Sequence, residues 1–191
     1  MSFSRGSASC SNHCFGVSEM LPEGPRRPCR EHERVWRNYP VDTNLDDSWL
    51  EALNGLRCFD LINICEGHVS TRGVRGPHVY VRAKGDPLAW IVHHRDQAYA
   101  LFERWACEFL SLADTGVEFG LSFTSRSLPR TRRLDERFRH EKRFVVRMHS
   151  RAPRAHVVMD LNTRRWFEQV VCAARRIDGL LAEQIPSVGP E

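Results

Sequence analysis

Lysine is almost missing from this chain. Only Lys84 and Lys142 occur among 28 basic residues, so the positive charge is carried by arginine. Codon usage in a GC-rich genome is the simplest source of that bias. Whatever its origin, guanidinium groups suit bidentate recognition of carboxylates and phosphates. Long hydrophobic runs are missing too. No stretch approaches the roughly 18 apolar residues of a membrane span, and no basic start leads into an apolar stretch. Neither a membrane association nor a secretory leader is expected. There is no phosphate-binding P-loop, no G-x-G-x-x-G, no H-E-x-x-H and no G-x-S-x-G, so nucleotide-driven chemistry by the common routes is not signalled. A disulfide frame is not signalled either. The seven cysteines (Cys10, Cys14, Cys29, Cys58, Cys65, Cys107 and Cys172) are odd in number, and several sit in apolar segments. They read as reduced thiols in a cytoplasmic protein.

The chain that remains is globular in composition. Of its 191 residues, 41% are hydrophobic and 27% charged, with a net charge of +4 and a pI near 8.8. That suits one domain with an ordinary core and falls short of the basic footprint of a dedicated nucleic-acid binder. Residues 1–40 are rich in Ser, Gly, Pro and Arg without apolar periodicity, and are expected to form a flexible arm. A single domain is expected over 41–185, with a short tail at 186–191.

Within that domain the pattern predicts a helix after Asp46, with Trp49, Leu50, Leu53 and Leu56 as its stripe and Gly55 near its end. Phe59–Cys65 is β-prone. Glu66–Pro77 is a Gly-rich connection, and His78–Lys84 alternates as a strand. Gly85-Asp86-Pro87 is a turn or a helix start, and Leu88–Val92 fits either a strand or a helix. A helix follows from Asp96, with Ala98, Leu101, Phe102, Trp105, Phe109 and Leu112 on one side. Val117–Ser125 and Arg143–His149 alternate again, with an Arg-rich loop or short helix between them. Ala155–Met159 is a candidate edge strand, and a last helix runs from Asp160 or Asn162 to about Glu183. The expected fold class is α+β: a two-layer sandwich with a mainly antiparallel sheet of four to five strands and about three helices on one face.

The period of two in a strand dictates a second, polar face to that sheet. It carries His78, Tyr80 and Arg82, then Glu118, Ser122 and Thr124, then Arg143, Arg147 and His149. Asn63 and Cys65 join if the first strand has the right phase, which its apolar sequence does not fix. Arg82 and Arg147 can clamp an anion, with Tyr80 and His149 beside them as further substrate-binding candidates. Cys65, Glu66, His68 and His78 are the candidate catalytic groups. A thiol, a carboxylate and an imidazole within four residues serve either an activated nucleophile or metal ligation. A buried cysteine, an exposed glutamate and a turn histidine read equally well from the same residues.

Other groupings are weaker. Cys10, Cys14, Cys29 and His32 have the ligand count of a zinc site but little to brace it. The adjacent His93 and His94 diverge on any regular backbone. Ten arginines between Arg126 and Arg154 can neutralise phosphates, although charge runs are usually solvated faces. The leading expectation is a small cytosolic enzyme or ligand-binding domain acting on an anionic small molecule at the polar sheet face. The reaction, any metal and any cofactor stay unspecified. The alternatives are a nucleic-acid-binding module using residues 126–154 and a protein-interaction domain, with a homo-oligomer among its forms.

Overall fold

The computed structural model describes residues 33–37, 39–70, 73–110, 115–127, 138–151 and 159–185; within these, the side chains at 39, 68–70, 73–75, 110, 123–127 and 138–141 are left undescribed. Two of the helices begin at capping aspartates. Helix α1 (Asp47–Asn54) is capped by Asp46, whose carboxylate accepts the Ser48 N–H at 2.8 Å. The Ser48 hydroxyl and then its amide hold the Asp46 carboxyl below the usual aspartate range. Helix α4 (Leu161–Ala182) is capped by Asp160, which accepts from the Thr163 N–H and hydroxyl at 2.7 and 2.8 Å. Between them lie α2 (Gly85–His93) and α3 (Arg95–Leu110). The segment that fits either state in sequence, Leu88–Val92, is therefore helical. Pro87 sits in the first turn, where its missing N–H costs nothing.

The main sheet has four strands in the order β3 (Phe59–Cys65), β6 (His78–Ala83), β8 (Phe138–Ser150), β7 (Thr115–Ser127), all antiparallel. One hydrophobic cluster joins Phe59, Val79, Val81, Phe144, Val146 and Met148 of this sheet to Leu50 of α1, Ile91 of α2, Phe102 of α3 and Phe167 of α4. All four described helices thus pack on a single face, and the result is the expected two-layer α+β sandwich, with four helices among the described residues instead of about three. Asp178 on α4 ties the layers together. Its carboxylate accepts the N–H groups of Arg57 (3.1 Å) and Cys58 (2.7 Å) at the entry to β3.

Besides the fourth helix, β7 and β8 run to Ser127 and from Phe138, into the segment expected as an Arg-rich loop or short helix, because the two strands stay paired beyond their alternating stretches. Three further features depart from the sequence reading. First, the described structure begins at Glu33, inside the segment expected to be an arm. A hairpin of β1 (Glu33–Trp36) and β2 (Tyr39–Asp42) places Trp36 and Val41 in the core. Four-residue strands are too short to show a period, which is why composition dominated there. Second, the connection Glu66–Pro77 contains its own hairpin, β4 (His68–Ser70) with β5 (Gly73–Arg75), in which Val69 pairs with Val74. Gly67, at φ 97°, makes the turn into it. Third, β3 changes phase. Its register slips between Leu61 and Asn63, a β-bulge at Ile62. Phe59 and Leu61 therefore face the core before the bulge and Ile64 after it. This is why the apolar run Phe59–Cys65 has no readable alternation. Leu112, residues 128–137 of the Arg-rich segment, and the proposed edge strand apart from Met159 lie outside the described residues.

Candidate functional site

The register of the sheet builds the polar face row by row. Cys65, His78, His149 and Gly116 lie opposite one another across β3, β6, β8 and β7. Asn63, Tyr80, Arg147 and Glu118 form the next row, and Asp60, Arg82, Val145 and Gly120 the one after. Seven of the eight candidate site residues thus sit on or beside one face. His68 lies in β4, and its side chain is outside the described ones. No helix covers this face among the described residues, because the core lies on the other side.

The β3 end of the face is buried. Cys65, Glu66 and His78 are each 5% exposed or less. The His78 ring is fixed from both sides. Nδ1 lies 3.1 Å from the Gly76 carbonyl and so donates to it, and Nε2 lies 3.3 Å from the Asn63 amide nitrogen and so accepts from it. With both nitrogens engaged, this imidazole is not aimed at the Cys65 thiol and is not a base for it. The Cys65 sulfur instead accepts the Gly67 N–H at 3.4 Å. Glu66 is held at both ends: its N–H donates to Asp42 Oδ2 at 2.8 Å, and its Oε1 accepts from the Asn44 amide at 3.3 Å. Asp42 and Asn44 are members of this corner that sequence reasoning missed. They come from the β1–β2 hairpin and the turn after it, and nothing local links them to Glu66.

The centre of the face is more open. Arg147 is about half exposed, and its guanidinium lies 5.7 Å from the centre of the Tyr80 ring. It pairs with Glu118 at 3.6 Å, but both partners are mostly in solvent. Tyr80 also stacks obliquely on His78, with ring centres 4.9 Å apart. The His149 imidazole lies across Gly116, where a Cβ would come within 2.2 Å of its Nε2. Only a glycine leaves room for that seat. Next to Arg147 a depression of about 240 Å³ is lined by Glu118, Phe119, Gly120, Leu121, Ser122 and Val145 besides Arg147 itself. The two clamp arginines are not equivalent: Arg82 is largely buried and held by Asp60 at 3.4 Å.

Elsewhere, an apolar groove of about 310 Å³ runs between α3 and α4 over Trp105, Phe109 and Ala173, with Cys172 on its rim. Among the described residues no group of three or more His, Cys, Asp or Glu side chains is placed to hold a metal ion. Cys10, Cys14, Cys29 and His32 lie outside those residues. His93 and His94 are exposed at the end of α2, and His94 stacks on Trp90. No described helix is long and apolar enough to cross a membrane. By architecture the chain is an α+β sandwich with one helix-covered and one polar sheet face. Comparison with protein-family models, with curated proteins and with solved structures gives no match.

Proposed function

We propose that this domain binds an anionic small molecule on the polar sheet face, with Arg147 as the principal contact and His149 and Tyr80 beside it. The observation that carries the reading is the placement of Arg147: half exposed, over Tyr80, next to the seated His149 and at the edge of the depression. An exposed ion pair contributes only about 0–1 kcal/mol, so Glu118 is a weak competitor for a ligand carboxylate or phosphate. Arg82 plays the lesser part, because Asp60 already holds it. Cys65, Glu66 and His78 shape the buried rim; their hydrogen bonds support a binding role better than a nucleophile–base pair. A cytoplasmic setting belongs to the same proposal, supported by the free thiols of Cys58, Cys65, Cys107 and Cys172. Titration with inorganic phosphate, citrate and adenosine monophosphate at low salt tests it. At least one should shift the NMR signals of His149 and Tyr80, and Arg147→Ala should weaken that binding about tenfold or more, the loss of one charge-assisted hydrogen-bonding group. Absence of any shift, or binding indifferent to Arg147, would refute it.

A second reading has its own observation. β6 pairs with β8 only over Arg82–His78, while β7 and β8 stay paired from Thr115 and Ser150 out to Ser127 and Phe138. The outer half is a two-stranded ribbon in which Arg126 stands opposite Arg139. Such ribbons fit a nucleic-acid groove. Binding to short duplexes that persists at physiological salt and falls on Arg139→Ala would favour this reading.

A further inference from the structure

The apolar groove of about 310 Å³ between α3 and α4 belongs to the helix layer, which the core separates from the polar sheet face. Its floor is fixed. The Trp105 ring stacks on Phe109, with 5.9 Å between ring centres and 11° between planes. The Trp105 indole N–H donates to the Ala173 carbonyl on α4 at 3.0 Å. The polar edge of the indole is thus satisfied where it stands, and nothing draws the ring outward to fill the space. Ala173 beside it is too small to do so. Small-molecule pockets run from about 300 to 1,000 Å³, so this one suits a single aromatic ring with a short chain.

The charges at the rim decide what that body should carry. On α4, Glu168, Cys172 and Arg176 follow one another at four-residue intervals along the groove. Glu168 and Arg176 therefore stand two turns apart, roughly 12 Å. Arg176 reaches across to Glu108 of α3 at 2.7 Å, and the two neutralise each other at their end. Glu168 is exposed, and among the described residues no cation pairs with it. On a chain of net charge +4, the groove is left with an uncompensated carboxylate beside aromatic rings. Both attract a cation, the carboxylate by its charge and the rings by their quadrupole. We propose that the groove between α3 and α4 binds a lipophilic organic ammonium, its apolar body over Trp105 and Phe109 and its charged nitrogen at Glu168. A lipophilic anion would be repelled by Glu168 and would find Arg176 already engaged.

Alkylation of the two exposed thiols by iodoacetamide tests the proposal, because Cys172 is on the rim and Cys107 does not line the groove. The full chain is titrated with phenylpropylammonium, with its neutral counterpart phenylpropanol and with phenylpropanoate. The ammonium should slow the labelling of Cys172 and leave that of Cys107 unchanged. It should bind about fivefold more tightly than the alcohol, the gain from one exposed ion pair, and the carboxylate should bind most weakly. Glu168→Gln should remove most of that preference while the alcohol binds as before. Cys172→Phe, which plugs the groove from an exposed position, should abolish the shift that the ammonium causes in the Trp105 indole N–H signal. Equal protection by the three compounds, or strongest protection by the carboxylate, overturns the proposal, as does a preference that survives Glu168→Gln. So does labelling of Cys172 that none of the compounds slows. Labelling of Cys172 that speeds up on dilution of the protein would give the groove to a second copy of the chain, and overturns it equally.

Discussion

Gly116 and Gly76 are both close-approach glycines, and they differ in what they approach. A Cβ at Gly116 meets the far end of the His149 ring, which can rotate, whereas one at Gly76 comes within 3.0 Å of the Ser150 backbone carbonyl, which cannot. Gly116→Ala should therefore unseat His149 and weaken the proposed anion binding at a stability cost under about 1 kcal/mol. Gly76→Ala should cost about 1–3 kcal/mol through a backbone shift. Urea denaturation with the His149 imidazole signals separates the two outcomes. The cysteines divide in the same local way. Cys107 and Cys172 are exposed, while Cys58 and Cys65 are buried. An alkylating reagent at pH 8 should modify the first pair in the native protein and the second only after unfolding; rapid native labelling of Cys65 would revive the nucleophile reading. Burial, and then the Asp178 carboxylate, push the Cys58 thiol up to about 12. A thiol raised on folding contributes stability that is fully present below its unfolded value near 9 and is lost as the pH climbs toward 12. Stability should thus fall over that window, and less steeply in Cys58→Ala.

Among the elements, the connection between α4 and the start of β3 is the most exposed to a single change. The Asp178 carboxylate is buried and satisfies two backbone N–H groups more than a hundred residues away in sequence. Asp178→Ala leaves both donors without that acceptor. The Cys58 amide is the costlier of the two, since Cys58 is fully buried. A loss of about 2–4 kcal/mol in chemical denaturation is expected; a loss below 1 kcal/mol would mean that water replaces the carboxylate. The β3 bulge belongs to this scale as well. It lets one strand supply Phe59, Leu61 and Ile64 to the core while Asn63 and Cys65 reach the polar face.

For the whole molecule, the β1–β2 hairpin extends the core N-terminal to α1. It contributes Trp36 and Val41 to the core and Asp42 to the Glu66 corner. Residues 1–32 show no apolar period in sequence, so removing them should change stability by less than about 1 kcal/mol. Removing residues 1–42 deletes a buried tryptophan, for which about 3–5 kcal/mol is the usual cost of truncation alone. Thermal melts of the two shortened chains make the comparison. Near-equal melting would mean that the hairpin adds nothing to the domain.

Caps and periods made α1, α3, α4, β6, β7 and β8 legible in sequence. Asp46 and Asp160 announce their helices within four residues, and strict alternation fixes which face His78, Tyr80, Arg82, Arg147 and His149 occupy. These are short-range signals, set by backbone geometry alone. Four things needed the tertiary structure: the phase of β3, the membership of Asp42 and Asn44 in the buried corner, the seat of His149 on Gly116, and the engagement of both His78 nitrogens. A bulge cancels the very alternation by which a strand is read. The other three are contacts between distant segments, and their partners are chosen by strand pairing and layer packing, which no local pattern encodes.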